Sequence, residues 1–204
     1  LLFPSTRVHI EMNGAKVIDA ADEAAYDLTS DEPFKGNLDV QKLQRAIEEK
    51  GAGHVSCIYV ELSDNACGGH PISLANLRAI KEIAAAHHLP LFLDACRILE
   101  NSYLVQQREA GYQERTILGI VRETCDLADG GTLSALKDFL VASGGLILSR
   151  SKESYQKASM QAFLDGAQLP GLAMMQLAIS LREIFAADNY VKSRVEQVRY
   201  LWQR

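Results

Sequence analysis

The chain has 204 residues, 48% of them hydrophobic and 23% charged, a composition typical of globular proteins that excludes disorder, coiled coil and collagen-like structure. Its 21 basic and 26 acidic residues give a formal net charge of −5, which argues against nucleic acid and anionic membranes as partners. No apolar stretch approaches the roughly 20 residues that a membrane span needs.

The four cysteines form no C-x-x-C pair and match no zinc-binding spacing. We expect reduced thiols of a cytoplasmic protein at these positions, and no bound metal. The first residue is Leu1 rather than Met, and the chain stops at Arg204 within a predicted helix. We therefore interpret it as an internal piece of a longer protein.

Strands and helices are predicted to alternate from the start of the chain. Residues 16–19 predict a short strand, and residues 40–49 predict a helix with Leu43 and Ile47 on one face. The apolar run at residues 55–62 predicts a buried strand.

The same alternation continues through the middle of the chain. Residues 72–86 predict a helix with Ser73 as its N-cap, and Leu91–Asp94 predicts a strand that ends in an acid. A helix follows around residues 117–125, and Gly145–Ser149 predicts a further strand.

This β-α-β succession predicts an α/β fold with a mostly parallel sheet and helices on both faces. From about residue 171 onward the sequence is helical. We expect residues 1–170 to form a large domain and residues 171–204 to lead toward a second, smaller one.

Several polar side chains follow predicted strands, where ligands collect in open α/β sheets. Asn65 follows the first strong strand, Asp94 closes the next with Arg97 just beyond it, and Ser134 and Lys137 precede another strand. Each alone is commonplace, since a strand-ending Asp is often a helix cap and a lone Lys is usually solvated. Together these five residues favour a single ligand-binding cleft.

Pyridoxal phosphate (PLP) chemistry requires this set of groups. A lysine amine attaches the cofactor, and a carboxylate keeps the pyridine nitrogen protonated. Hydrogen-bond donors stabilise the ring oxygen, and a hydroxyl with backbone N–H groups binds the phosphate. The residues alone favour a cofactor site at the sheet edge, and they do not identify the reaction.

The sequence resembles the β-eliminating lyases of the tryptophanase and tyrosine phenol-lyase family over nearly its whole length. The order and spacing of six segments carry the resemblance: 3–14 (FPSTRVHIEMNG), 34–37 (FKGN), 65–73 (NACGGHPIS), 94–97 (DACR), 100–103 (ENSY) and 134–138 (SALKD). The resemblance implies the large domain of a fold-type I PLP enzyme.

The resemblance also implies roles for single residues. Lys137 would bind the cofactor and move protons at the substrate α-carbon, and Asp94 would pair with the pyridine nitrogen. Arg97 and Asn65 would bind the ring oxygen. Ser134 would bind the phosphate, and Phe3 would stack on the face of the pyridine ring. The implied reaction yields pyruvate, ammonia and a leaving group.

Three positions depart from the family pattern. Pro4 replaces a polar residue near the leaving group, which is Thr in phenol-lyases and Asp in tryptophanases. His70 replaces a Gln and is interpreted either as an imidazole beside the cofactor segment or as an exposed turn residue. Leu136 replaces the first of two lysines, which should alter the electrostatics of the site.

These departures leave the substrate open. An aromatic L-amino acid is the family default, whereas a cysteine-conjugate C–S lyase, a fold-type I aminotransferase and a non-catalytic or truncated homologue are the alternatives. The resemblance further implies a homo-oligomer, dimer or tetramer, with K+ as a candidate second cofactor. Because family site residues lie before Phe3 and beyond Arg204, we expect this piece alone to be inactive.

Overall fold

The computed structural model describes residues 2–167, 169–187 and 189–204. The strands are β1 Ile58–Glu61, β2 Leu91–Asp94, β3 Gly130–Ser134 and β4 Gly145–Ser149. The helices are α1 Pro4–Met12, α2 Val40–Lys50, α3 Leu74–Ala86, α4 Ile98–Arg108, α5 Ile117–Leu127, α6 Lys152–Leu164, α7 Gly171–Ala186 and α8 Asn189–Trp202.

The sheet runs β1-β2-β3-β4, with the first three strands parallel and β4 antiparallel to β3. Helix α3 connects β1 to β2, and α4 with α5 connects β2 to β3. The predicted α/β fold with a mostly parallel sheet is confirmed. Because parallel strands point the same way, β1, β2 and β3 end at one edge of the sheet.

One face of the sheet is buried against the connecting helices. Val60 and Leu93 point to this face, and they share one hydrophobic cluster with Leu77 and Ile80 of α3. All four are at most 3% exposed. On the opposite face, Tyr59 and Phe92 are only half-buried, whereas the polar strand ends at Glu61 and Asp94 are buried.

Most predicted elements are confirmed within one or two residues. The predictions for α2, α3, β2, α5 and β4 hold, and the hydroxyl of Ser73 accepts the N–H of Asn76 as an N-cap. The predicted strand at residues 55–62 shortens to β1. Helices α7 and α8 confirm the helical segment, whereas the domain boundary at residue 170 stays a prediction.

The predicted strand at residues 16–19 is wrong. The segment is not part of the sheet, and pairing in this region is limited to an isolated bridge between Ala21 and Leu38. Asp19 instead accepts the backbone N–H of Ala21, which favours a turn over a continuing strand.

Helix α1 was not predicted, and it begins at Pro4 directly after Phe3. Proline suits the first position of a helix because the N–H it lacks has no intrahelical partner there. Among the described residues, no helix combines the length and the apolar character needed to cross a membrane.

Candidate active site

Three polar side chains form a row across one face of the sheet, at the last residues of β1 and β2 and in the middle of β3. Glu61 of β1 is in register with Asp94 of β2, which is in register with Thr132 of β3. Aligned residues on neighbouring parallel strands share a face and lie about 4.8 Å apart at the backbone. Asp94 therefore lies in the centre of the row, and it is only 7% exposed.

Asn65 lies in a closed loop after β1. The loop is shut by the bridge between Asp64 and His70 and by a hydrogen bond of 2.8 Å from the N–H of Gly69 to the carbonyl of Asp64. Gly68 and Gly69 both have positive φ, at 74° and 78°, where glycine meets no steric penalty. The turn at the two glycines thus closes the loop that carries Asn65 at the sheet edge.

Arg97 joins the Asn65 loop to the start of α4. Its guanidinium donates to Oδ1 of Asn65 at 3.2 Å, and its Nε lies 3.6 Å from a carboxylate oxygen of Glu100. The amide and the guanidinium that sequence analysis assigned to one ring oxygen are therefore neighbours.

Cys96 joins the ends of β2 and β3. Its backbone N–H donates to Oδ1 of Asp94 at 3.1 Å, and its sulfur accepts the backbone N–H of Ser134 at 3.1 Å. Lys137 follows in the turn after β3, with its N–H directed to the carbonyl of Ser134 at 3.4 Å and its side chain exposed. The carboxylate, the hydroxyl and the amine thus belong to one connected edge.

Phe3 is held to the same edge through Glu61. The backbone N–H of Phe3 donates to Oε2 of Glu61 at 2.7 Å, and the N–H of Asn65 donates to Oε1 at 3.3 Å. Phe3 itself is 37% exposed. The structure therefore brings all six predicted site residues to one end of the sheet.

Sequence analysis missed Glu61 and Cys96 as parts of this site. Burial and the nearby carboxylate of Asp64 raise the pKa of Glu61 above its ordinary value, with a smaller contribution from Asp94. Burial and the hydrogen bond to Asp94 raise the pKa of the Cys96 thiol to about 12. The register of the predicted strands could have identified Glu61, since it pairs with Asp94, whereas no sequence pattern indicates the bond between Cys96 and Ser134.

The departures from the family pattern also have definite places. Pro4 is the first residue of α1, Leu136 is 47% exposed beside Lys137, and His70 is half-buried in the closed loop. Burial lowers the pKa of His70, helped by the charges of Lys35 and Arg108. Both interpretations of His70, as an imidazole beside the cofactor segment and as an exposed turn residue, stay predictions.

The open edge is not a closed pocket in the described part of the chain. A surface cavity of about 470 Å³ lies along α8, lined by residues such as Glu196 and Tyr200, and a second lies near Phe92 and Arg150. Neither includes a predicted site residue. Because the six predicted residues are connected to the ends of β1, β2 and β3 by these hydrogen bonds, we place the candidate site there rather than in either cavity.

Comparison with known proteins identifies the family of the chain. The family model described as "Beta-eliminating lyase" matches residues 1–204. Tyrosine phenol-lyase of Clostridium tetani is 37% identical over 209 residues, and tyrosine phenol-lyase of Intrasporangium calvum is 39% identical. Both alignments cover all of this chain but only 45% and 44% of the relatives, so the chain spans about half their length.

A solved structure shows the same fold at low identity. The chain matches a SepCysS–SepCysE N-terminal domain complex with a TM-score of 0.60 and 15% identity, over 97% of this chain and 48% of that one. The family model and the two phenol-lyases carry the assignment beyond fold: this chain belongs to the β-eliminating lyase family.

Proposed function

We propose that the protein, at its full natural length, is a PLP-dependent lyase that eliminates the β-substituent of an L-amino acid and yields pyruvate and ammonia. The observation that carries the proposal is the hydrogen-bonded edge that joins Glu61, Asn65 and Arg97 to the ends of β1 and β2. An aromatic side chain is the first substrate class to test.

The donor set fits PLP. The cofactor needs a carboxylate at its ring nitrogen, and Asp94 supplies one that is almost fully buried, where an ionic contact is strong. Cations and amide donors suit an anionic ring oxygen, and Arg97 with Asn65 supplies both at a mutual distance of 3.2 Å. An accessible amine completes the set at Lys137.

When bound, PLP supplies an electron-accepting ring that makes the substrate α-proton acidic. Asp94 would hold the proton on the ring nitrogen, and Lys137 would bind the group and then accept the substrate α-proton on Nζ. Arg97 and Asn65 would bind the ring oxygen. Ser134 would offer its hydroxyl to the phosphate, and Phe3 would cover one face of the ring.

The trapping experiment tests the cofactor and its lysine together. The protein is incubated with PLP, reduced with borohydride and mapped by mass spectrometry. We expect the pyridoxyl group on the peptide that contains Lys137, and its loss in Lys137→Arg but not in Lys152→Arg, an exposed lysine at the start of α6. Label spread over surface lysines would contradict the proposal and favour a non-catalytic homologue.

The leaving group is decided by product analysis. Pro4 lacks both an N–H and a polar side chain, so its side chain offers no hydrogen bond to phenol or indole, and a thiol is an alternative leaving group. Pyruvate with ammonia would identify elimination, and the accompanying phenol, indole or thiol would identify the substrate. A keto acid that retains the substrate skeleton would identify an aminotransferase instead.

The wider assembly is part of the same proposal. We propose a cytoplasmic homo-oligomer, dimer or tetramer, that acts on a small-molecule amino-acid substrate, and K+ as a second cofactor to be tested by omission. We also propose that residues 1–204 alone do not turn over substrate. Sedimentation measurements test the first statement, and pyruvate release by the isolated chain would contradict the last.

A further inference from the structure

The turn that carries Lys137 has long backbone hydrogen bonds of its own. Within this lysine turn (residues 135–141), the N–H of Lys137 lies 3.4 Å from the carbonyl of Ser134, and the N–H of Leu140 lies 3.3 Å from the carbonyl of Lys137. Both are long for N–H···O bonds. Leu140 also has a positive φ of 48°, which a branched side chain rarely adopts. The turn therefore depends on contacts from outside itself.

Arg194 of α8 supplies most of those contacts. Its Nη1 donates to the carbonyls of Lys137 and Asp138 at 3.3 and 3.5 Å, and its Nη2 donates to Oδ1 of Asp138 at 2.6 Å. The same Nη2 donates to Glu100 of α4. Helix α7 adds one more contact, from the hydroxyl of Ser180 to the carbonyl of Phe139 at 2.5 Å.

Asp138 links Arg194 to helix α4 through its two carboxylate oxygens. The Asp138 side chain has no exposed surface, and its Oδ2 accepts the N–H of Leu99 at 2.6 Å in the first turn of that helix. Glu100 in turn lies 3.6 Å from Nε of Arg97. One guanidinium thereby connects the backbone of Lys137 to the helix end that carries Arg97.

We propose that Arg194 is a positioning residue that fixes Lys137 relative to Arg97 by bridging the lysine turn and the N-terminus of α4. This inference rests on the proposed function of Lys137 and Arg97. Arg194 is not assigned a contact with the cofactor, since both of its terminal nitrogens already donate to protein acceptors. It acts by fixing the position of Lys137 relative to Arg97.

The guanidinium is suited to this task in a way that an ammonium is not. Its rigid planar fork presents several donors at fixed angles, so it can serve two carbonyls and two carboxylates at once, whereas a lysine offers a single compact charge. Removal of Arg194 also leaves the buried carboxylate of Asp138 without its cation. Loss of the bridge should therefore loosen the lysine turn.

The test compares Arg194→Gln with Arg199→Gln in the protein at full natural length. Arg199 lies on the same helix, is 67% exposed and contacts only Glu196, at 4.0 Å, among the described ion pairs. We expect Arg194→Gln to raise hydrogen exchange across the lysine turn in cofactor-free protein. We also expect about tenfold slower reducible PLP attachment at Lys137, because small displacements of a reacting group cost this much or more.

Two further variants keep the test decisive. Arg194→Lys should not restore attachment, because it cannot reach all four acceptors. If Arg194→Gln does not fold, the double variant Asp138→Asn with Arg194→Gln takes its place, since it leaves no unpaired buried carboxylate. Unchanged exchange and attachment in these variants would overturn the inference alone. Absence of a Lys137 adduct in the unmodified protein would instead overturn the proposed function.

Discussion

Glu61 offers the sharpest quantitative test of the site, because its carboxylate joins two segments that are far apart in sequence. Its bond to the N–H of Phe3 is short at 2.7 Å, and its bond to the N–H of Asn65 is longer at 3.3 Å. Hydrogen bonds to a charged group contribute about 1.5–3 kcal/mol, and weaker ones about 1 kcal/mol. Glu61→Ala removes both, so its gross loss is about 2–4 kcal/mol.

Glu61→Gln separates the two bonds. Its oxygen can still accept from Phe3, but its amide nitrogen then faces the N–H of Asn65, so the longer bond is lost at about 1 kcal/mol. Both variants remove the repulsion with Asp64 that helps to raise the pKa of Glu61. That relief offsets part of the cost, and it cancels when the two variants are compared.

The measurement is urea unfolding, followed by circular dichroism, together with PLP affinity. We expect Glu61→Ala to be less stable than Glu61→Gln by at least about 1 kcal/mol, the contribution of one hydrogen bond, and to bind PLP more weakly. Substitutions of the exposed Glu49 on α2 serve as matched controls, with changes within about 0.5 kcal/mol. Equal stability of Glu61→Ala and Glu61→Gln would refute the reasoning.

Three further outcomes follow from single positions. Glu109→Ala removes two carboxylate bonds, of 2.7 and 2.8 Å, to the first N–H groups of α3, and should lower the unfolding free energy by about 2–4 kcal/mol; a change below about 0.5 kcal/mol would contradict this capping role. A Cβ at Gly131 would lie 2.4 Å from a carbonyl of β2, so Gly131→Ala should prevent stable folding, whereas Gly53→Ala, with no atom within 4 Å, should be tolerated in the same thermal melt. Burial raises the pKa of Asp138 from 3.8 to about 6. Protonated Asp138 therefore stabilises the fold below pH 3.8, and this stabilisation is lost as the pH rises to about 6. Asp138→Asn should remove this pH dependence of the unfolding free energy in urea titrations, and an unchanged profile would contradict the role of Asp138.

Periodicity and strand-end chemistry sufficed to predict much of the fold and the centre of the site. The strand predicted at Leu91–Asp94 is confirmed, because its apolar residues and its terminal acid are local properties of the sequence. Strand β3 escaped prediction because Gly130 and Gly131 have low strand propensity. Their lack of side chains is nevertheless required, since a Cβ at either would meet backbone of the neighbouring strand at 2.6 Å or less.

Long-range contacts explain what the sequence could not predict. Glu61, Cys96 and Arg194 act through bonds to backbone groups 38 to 58 positions away. Such bonds follow no periodicity, because they depend on which loops the sheet brings together. Asn65, Asp94, Arg97, Ser134 and Lys137 were found because they flank predicted strands. Phe3 and the separate roles of these residues came from the family resemblance, which already contains three-dimensional information.

The start of α1 makes the leaving-group position exchangeable. At the first position of a helix, a residue needs no N–H and its side chain points away from the hydrogen-bond ladder, so Pro, Thr and Asp are all accommodated at small cost. Phe3, directly before it, is fixed independently through its own backbone bond to Glu61. Under the proposed function, with Pro4 near the leaving group, substrate preference could therefore change at Pro4 during evolution while the residues proposed to hold the cofactor stay in place, and a substitution there would be the natural first step in redirecting the activity.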